Sequence, residues 1–209
     1  MRRISSIHLA LAALVAFATP CWPLEAASVL TFHNDNNRTG RNLQETILNT
    51  LNVNPNTFGK LFSVSLDGNS FGQPLYVASV HFKGGDRSVV YVATSHDSVY
   101  AIDARTGAIV WRVNLGNPVP RLDIETFRQA HMPPDEPYYD IYPEIGITST
   151  PVIDIASQAI FVVAKTRASI EDEPKYIYSL HALDLRDGSE KNDSPVTVDG
   201  RVSSGGGSA

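Results

Sequence analysis

Cysteine is nearly absent: Cys21 is the only one in 209 residues, so no intrachain disulfide can form and paired-thiol chemistry is excluded. Methionine and tryptophan are scarce, at two each, which lets Trp22 and Trp111 be weighed one by one. Positive charge is in the minority, with 17 Lys and Arg against 22 Asp and Glu for a net charge of −5. Removing residues 1–27 takes away Arg2, Arg3 and Glu25 and leaves 15 basic against 21 acidic side chains, a net of −6. That balance argues against nucleic acid or an anionic membrane surface as a partner, because both select basic surfaces. Long apolar runs are missing too. The longest, Ile7 to Ala18, has about a dozen residues, where a membrane span needs roughly 20. No amphipathic helix of useful length is legible, and Asn42–Leu51 offers at most a short turn of one.

What that short apolar run does fit is a signal-peptide core behind Arg2 and Arg3, with cleavage after Ala18 or after Ala27. The residues after the twin arginines do not continue as a Tat motif, and Pro20 before Cys21 is a poor fit to a lipobox. Export by the general secretory route follows, to the periplasm or outside the cell. The chain then divides into a signal peptide at 1–27, a domain at 28–198 and a flexible Gly/Ser-rich end at 199–209.

The domain is written in strands. Val89–Thr94 and Val99–Ile102 are β-branched and aromatic runs separated by the polar turn Ser95-His96-Asp97-Ser98. Ala101–Trp111 then reads as strand, tight turn and strand, with Asp103 able to accept from turn amides and Gly107 supplying a positive φ. The pattern recurs 81 residues later, where Leu180–Gly188 repeats Val99–Gly107 with Ala182, Asp184 and Gly188 standing for Ala101, Asp103 and Gly107. Between Asn117 and Ile147 six prolines interrupt any periodicity, which marks 117–147 as one long insertion loop. Without its 31 residues the repeat is 50 residues, close to the roughly 40–50 of a four-stranded propeller blade. Strands are expected near Gln73–Ser79, Ser88–Thr94, Val99–Asp103 and Ala108–Leu115 for the first unit. Those near Thr150–Ile155, Ala159–Lys165, Tyr176–Leu185 and Pro195–Val198 make the second. Val29–Phe32 and the alternating Lys60–Leu66 are read as strands of a further, mostly missing unit.

The form A-x-D-x-x-T-G-x-x-x-W, met in full by Ala101, Asp103, Thr106, Gly107 and Trp111, resembles the tryptophan-docking repeat of pyrroloquinoline-quinone-type (PQQ-like) β-propellers. Asn34–Gly40, Gln73–Val77, His96–Ala101 and Glu144–Pro151 also look like segments of secreted bacterial members, which extends the resemblance from about Val29 to about Val198. It implies an all-β, partial propeller of four-stranded antiparallel blades, about two full blades plus part of another. In the family the tryptophan of one blade packs on the turn of its neighbour, so Trp111 would brace an adjacent blade. The second repeat departs, with Asn192 at the tryptophan position. The family's rings usually have seven or eight blades, so the chain is expected to be an incomplete propeller, a truncated product or fragment, short of blades or self-associating.

Candidate sites are few. His33–Arg38, with Asp35 and Arg38, is rich in oxygens that suit calcium or sugar, but calcium-loop spacing is absent and a self-bonded polar turn is favoured. His96 and Asp97 could move a proton, yet the same pair makes an ordinary turn with no nucleophile or metal partner placed by sequence. His181 replaces Tyr100 and is read as a strand residue. Within the insertion, Tyr138, Tyr139 and Tyr142 with Asp135, Glu136, Asp140 and Glu144 would suit carbohydrate or peptide contact, and Glu144 stands at the entry to a strand. No catalytic residue and no metal ligand is assigned. Asn37-Arg38-Thr39 and Asn192-Asp193-Ser194 are glycosylation sequons in form.

Two functions stay open. One is an exported binding or scaffold module with a protein or glycan partner and no catalysis of its own. The other, implied by the resemblance, is part of a PQQ- and calcium-dependent dehydrogenase. Against the second, the family's dehydrogenases carry a neighbouring cysteine pair, and neither Trp111, bound to the blade motif, nor Trp22, in the signal region, is spare for a quinone.

Overall fold

Each β-branched run finds its partner in the next one along the chain. Leu75–Phe82 (β1) pairs with Gly85–Ala93 (β2), then Ser98–Asp103 (β3) and Ile109–Asn114 (β4), giving a four-stranded antiparallel sheet in chain order. Val119–Pro120 (β5) and Glu144–Ile145 (β6) form a short two-stranded ladder, and Arg121–His131 (α1) is a helix between them. A second four-stranded sheet follows from Val152–Asp154 (β7), Ala159–Ile170 (β8), Glu173–Asp184 (β9) and Val196–Thr197 (β10), again in chain order. The computed structural model describes residues 27–43, 45–131, 141–170 and 173–199. All of the expected signal peptide but Ala27, with Cys21 and Trp22, lies outside them, as do Tyr138, Tyr139, Asp135, Glu136, Asp140 and nearly all of the Gly/Ser-rich end.

The two sheets share one core. Leu75, Val89, Tyr91, Val99 and Ala101 of the first pack with Ile147, Ile153, Ile160, Val162 and Leu183 of the second side. Two aromatics fasten the join. Tyr91 is fully buried, and its hydroxyl donates to the Leu185 carbonyl at 2.8 Å, which also accepts from Trp111 Nε1 at 3.0 Å. Their rings lie 5.9 Å apart at a tilt of 51°, so each adds aromatic contact to the roughly 2–3 kcal/mol of burying a large side chain. Burial, aided by the charge of Asp184, pushes the Tyr91 phenol up and keeps it a donor.

The turns 81 residues apart are built alike. In the first, Asp103 Oδ1 accepts from the Arg105 and Thr106 amides and from Thr106 Oγ1, and Gly107 N donates to the Asp103 carbonyl. In the second, Asp184 Oδ1 accepts from the Arg186 amide, and Gly188 N donates to the Asp184 carbonyl. Both glycines hold a left-handed φ, 74° and 73°. Because Asp187 replaces Thr106, Asp184 binds the Arg186 guanidinium and Lys191 Nζ, each at 2.8 Å to Oδ2, which holds its carboxyl well below the usual carboxylate range.

The sheets place their strands where local chemistry points, and four expectations need correction. The insertion 117–147 is not an unbroken loop, since it carries β5, α1 and β6. The domain is therefore not free of helix. Arg121 pairs with Glu125 one turn on, while Ile124 and Phe127, three apart, line the same cavity beside β9. Lys60–Leu66 alternates but pairs with no strand; Val64 and Leu66 pack on Tyr100 and Ile102 instead. Val29–Phe32 makes a single bridge, Val29 to Tyr76. In the second sheet Ala159, Ile160, Val162 and Ala164 of β8 are buried, while β9 exposes the large side chains Tyr178 and Leu180.

Candidate functional site

Three loops meet at the end of the first sheet where β2 turns into β3. The Thr94–Ser98 turn is closed by Thr94 N donating to the Ser98 carbonyl at 2.9 Å and Asp97 N to the Thr94 carbonyl at 3.1 Å. Gly68 and Asn69 lie beside it. A Cβ on Gly68 would come within 2.9 Å of His96 N, and Ser95 N donates to the Asn69 carbonyl at 2.8 Å. The chain around β6 closes the third side, where Asn69 Nδ2 donates to the Tyr142 carbonyl at 2.6 Å.

This convergence joins residues far apart in sequence. His96 Nδ1 lies 2.8 Å from Glu144 Oε1, with the histidine side chain 43% exposed and the glutamate 18%. Asp97, one residue on, is fully buried, and neither carboxyl oxygen has a hydrogen-bond partner among the described residues. Burial first, and then the charge of Glu144, push its carboxyl up to about 8. At neutral pH it is therefore mainly the uncharged acid. Gly146 makes the close approach possible: a Cβ there would stand 2.6 Å from Asp97 Oδ1 and 2.4 Å from the Ser95 carbonyl.

A second acid beside the turn behaves oppositely. Burial raises Asp67, but hydrogen bonds from Ser98 Oγ at 2.6 Å and Thr94 Oγ1 at 3.0 Å, with the Arg112 charge, outweigh it and leave its carboxyl below the ordinary range. Asp67 thus stays a carboxylate that fixes the turn, while Asp97 stays neutral beneath His96 and Glu144. The hydroxyls nearest the cluster are occupied: Ser95 Oγ accepts from Asn69 N, and Ser98 Oγ donates to Asp67.

Of the residues singled out from sequence, His96, Asp97 and Glu144 come together, and Tyr142 reaches them through its carbonyl and Asn69. The turn is more than an ordinary polar one, because its aspartate points inward and its histidine meets a carboxylate 48 residues away. Asp35 and Arg38 close their own turn instead. Asp35 accepts from Thr39, which lowers its carboxyl, and Arg38 donates to Thr31 Oγ1 and the Phe32 carbonyl. His181 sits buried in β9 with Nδ1 3.1 Å from Glu190.

Trp111 lies on the second turn, where a Cβ on Gly188 would stand 2.7 Å from its ring. Asn192, at the equivalent position of the next repeat, is exposed. Sequence reasoning missed Phe62, whose ring covers Gly107 in the same way, with a Cβ there 2.6 Å away. The signal was a spacing. Phe62 precedes Asp103 by 41 residues, and Trp111 precedes Asp184 by 73, or 42 once the 31-residue insertion is set aside.

Calcium takes six to eight oxygens, and among the described residues no three His, Cys, Asp or Glu side chains converge as metal ligands. Glu144 is turned to His96 and Trp111 is packed on Gly188, so neither side chain is free for a calcium ion or a quinone. What the described residues offer is a polar, partly exposed His–Glu pair over the buried Asp97. Compared with models of known protein families and with curated proteins, the sequence matches none. The fold defines a class, a mostly β protein of antiparallel four-stranded sheets.

Proposed function

We propose that the chain is an exported propeller-type repeat module that binds a protein or glycan partner through the loop end carrying His96 and Glu144, with no catalysis of its own. The observation that carries the propeller reading is the repeated aromatic-on-glycine seat, Phe62 over Gly107 and Trp111 over Gly188. One seat fastens a pair of units. Two in succession, each made by an upstream aromatic on the next turn, describe like units added head to tail, which is how blades accumulate around an axis.

Binding is favoured over chemistry because the cluster supplies recognition groups and no free nucleophile. His96 and Glu144 present a donor and acceptor pair at the surface, and the neighbouring hydroxyls are committed to the turn. A quinoprotein reading remains the alternative. The test has two arms on the purified chain. Immobilised oligosaccharides and peptides should be bound by the wild type, with binding lost in His96→Ala and Glu144→Gln at unchanged melting temperature. Added PQQ and calcium should give no quinone absorbance shift and no dye-linked alcohol oxidation. Calcium-dependent dye reduction, or binding indifferent to both substitutions, overturns the proposal.

A further inference from the structure

The cavity lined by Ile124 and Phe127 shares β6 with the His96 cluster, Ile145 lining the cavity while Glu144 pairs with His96. It has a volume of about 210 Å³, is partly open to solvent and is lined by residues of β5, α1, β6 and the β8–β9 hairpin. Val119, Ile124, Phe127 and Ile145 give it apolar walls. Those walls are held together across the chain. Arg167 N donates to the Asn117 carbonyl at 2.7 Å, Pro118 bridges Thr166, and Asp123 takes both the Arg167 guanidinium at 2.5 Å and the Tyr176 hydroxyl at 3.0 Å.

The charges in this pocket are not balanced in the same way. Asp123 is neutralised by Arg167, but Lys165, which also lines the cavity, makes no ion pair among the described residues. Its ammonium lies over two ring faces instead, 5.3 Å from the Tyr178 centroid and 5.8 Å from that of Tyr176. Ring faces orient a cation without cancelling its charge, so the ammonium keeps its attraction for an anion. A dry apolar cavity of about 150 Å³ already accepts benzene. About 210 Å³ therefore admits one ring carrying a small polar group.

We propose that this pocket binds a small carboxylic acid with a single-ring apolar body, the ring against Ile124 and Phe127 and the carboxylate on Lys165. The proposal does not rest on the propeller reading or on any role for the His96–Glu144 pair, which shares only β6 with the pocket. Benzoate is the probe, with benzyl alcohol and benzylamine as neutral and cationic controls of similar shape, followed by NMR titration and calorimetry. Benzoate should bind saturably with a millimolar Kd, at least about tenfold tighter than either control, a difference of about 1.4 kcal/mol. Lys165→Gln should erase that preference, and Ile124→Trp, which fills the pocket, should abolish binding of all three, each with an unchanged circular dichroism spectrum. Lys165→Arg should restore the preference if the glutamine variant folds poorly. Equal affinity for the three probes, no saturable benzoate response, or an undiminished preference in folded Lys165→Gln would overturn the proposal.

Discussion

Replacing Asp97 with Asn should abolish a pH dependence of stability that the buried carboxyl imposes on the wild type. The carboxyl titrates near the ordinary 3.8 in the unfolded chain but at about 8 in the folded one, where burial and Glu144 oppose its ionisation. Between those values the folded state binds the extra proton, so stability falls as pH rises. The contribution is fully present below about pH 4, is lost progressively, and is gone above about 8. One pKa unit corresponds to about 1.4 kcal/mol, so the group costs up to about 2.7 kcal/mol between pH 5 and 7. Asn fills the same space without ionising. Asp67 and Asp184, whose carboxyls are lowered, titrate below that window and add no slope within it; their stabilisation is lost only as pH falls further, below the ordinary carboxylate range. Urea unfolding at pH 5, 6 and 7 should therefore give the wild type a slope about 1.4 kcal/mol per pH unit more negative than Asp97→Asn. Parallel slopes for the two proteins would refute the reasoning.

Trp111→Ala should cost about 3–5 kcal/mol, because it removes a large buried ring and leaves the Leu185 carbonyl with one donor fewer; an unchanged melting temperature would contradict this. Gly188→Ala should destabilise by more than about 1 kcal/mol in the same melts, since it combines a φ of 73° with a Cβ 2.7 Å from the Trp111 ring. Asp184→Asn should cost about 1–3 kcal/mol at pH 7 and flatten the loss of stability on acidification, because the wild-type carboxylate held by Arg186 and Lys191 is what acid protonates. Far-ultraviolet circular dichroism should be dominated by strand with a small helical component from α1; a helix-dominated spectrum would be inconsistent with the two sheets.

The strands and their turns were legible because both are local. Period-two alternation sets which residues of β2, β3, β8 and β9 face the core, and Asp103 with Gly107, or Asp184 with Gly188, close their turns through bonds spanning only a few residues. Trp111 and the 81-residue repeat were visible for the same reason. Helix α1 was hidden by the six prolines around it, although the Arg121–Glu125 pair and the Ile124–Phe127 spacing stood in the text. His96, Asp97 and Glu144 could each be picked out, but not their relation. Glu144 reaches His96 only because β6 lies beside the Thr94–Ser98 turn, and Asp97 is stripped of water only because Gly146 lets that backbone come within contact distance. A carboxyl's titration depends on solvent access and on charges across space, neither of which is written in its sequence neighbours. The sheets follow from nearest-neighbour chemistry, whereas the neutral acid beneath a His–Glu pair exists only where loops distant in the chain are folded against one another.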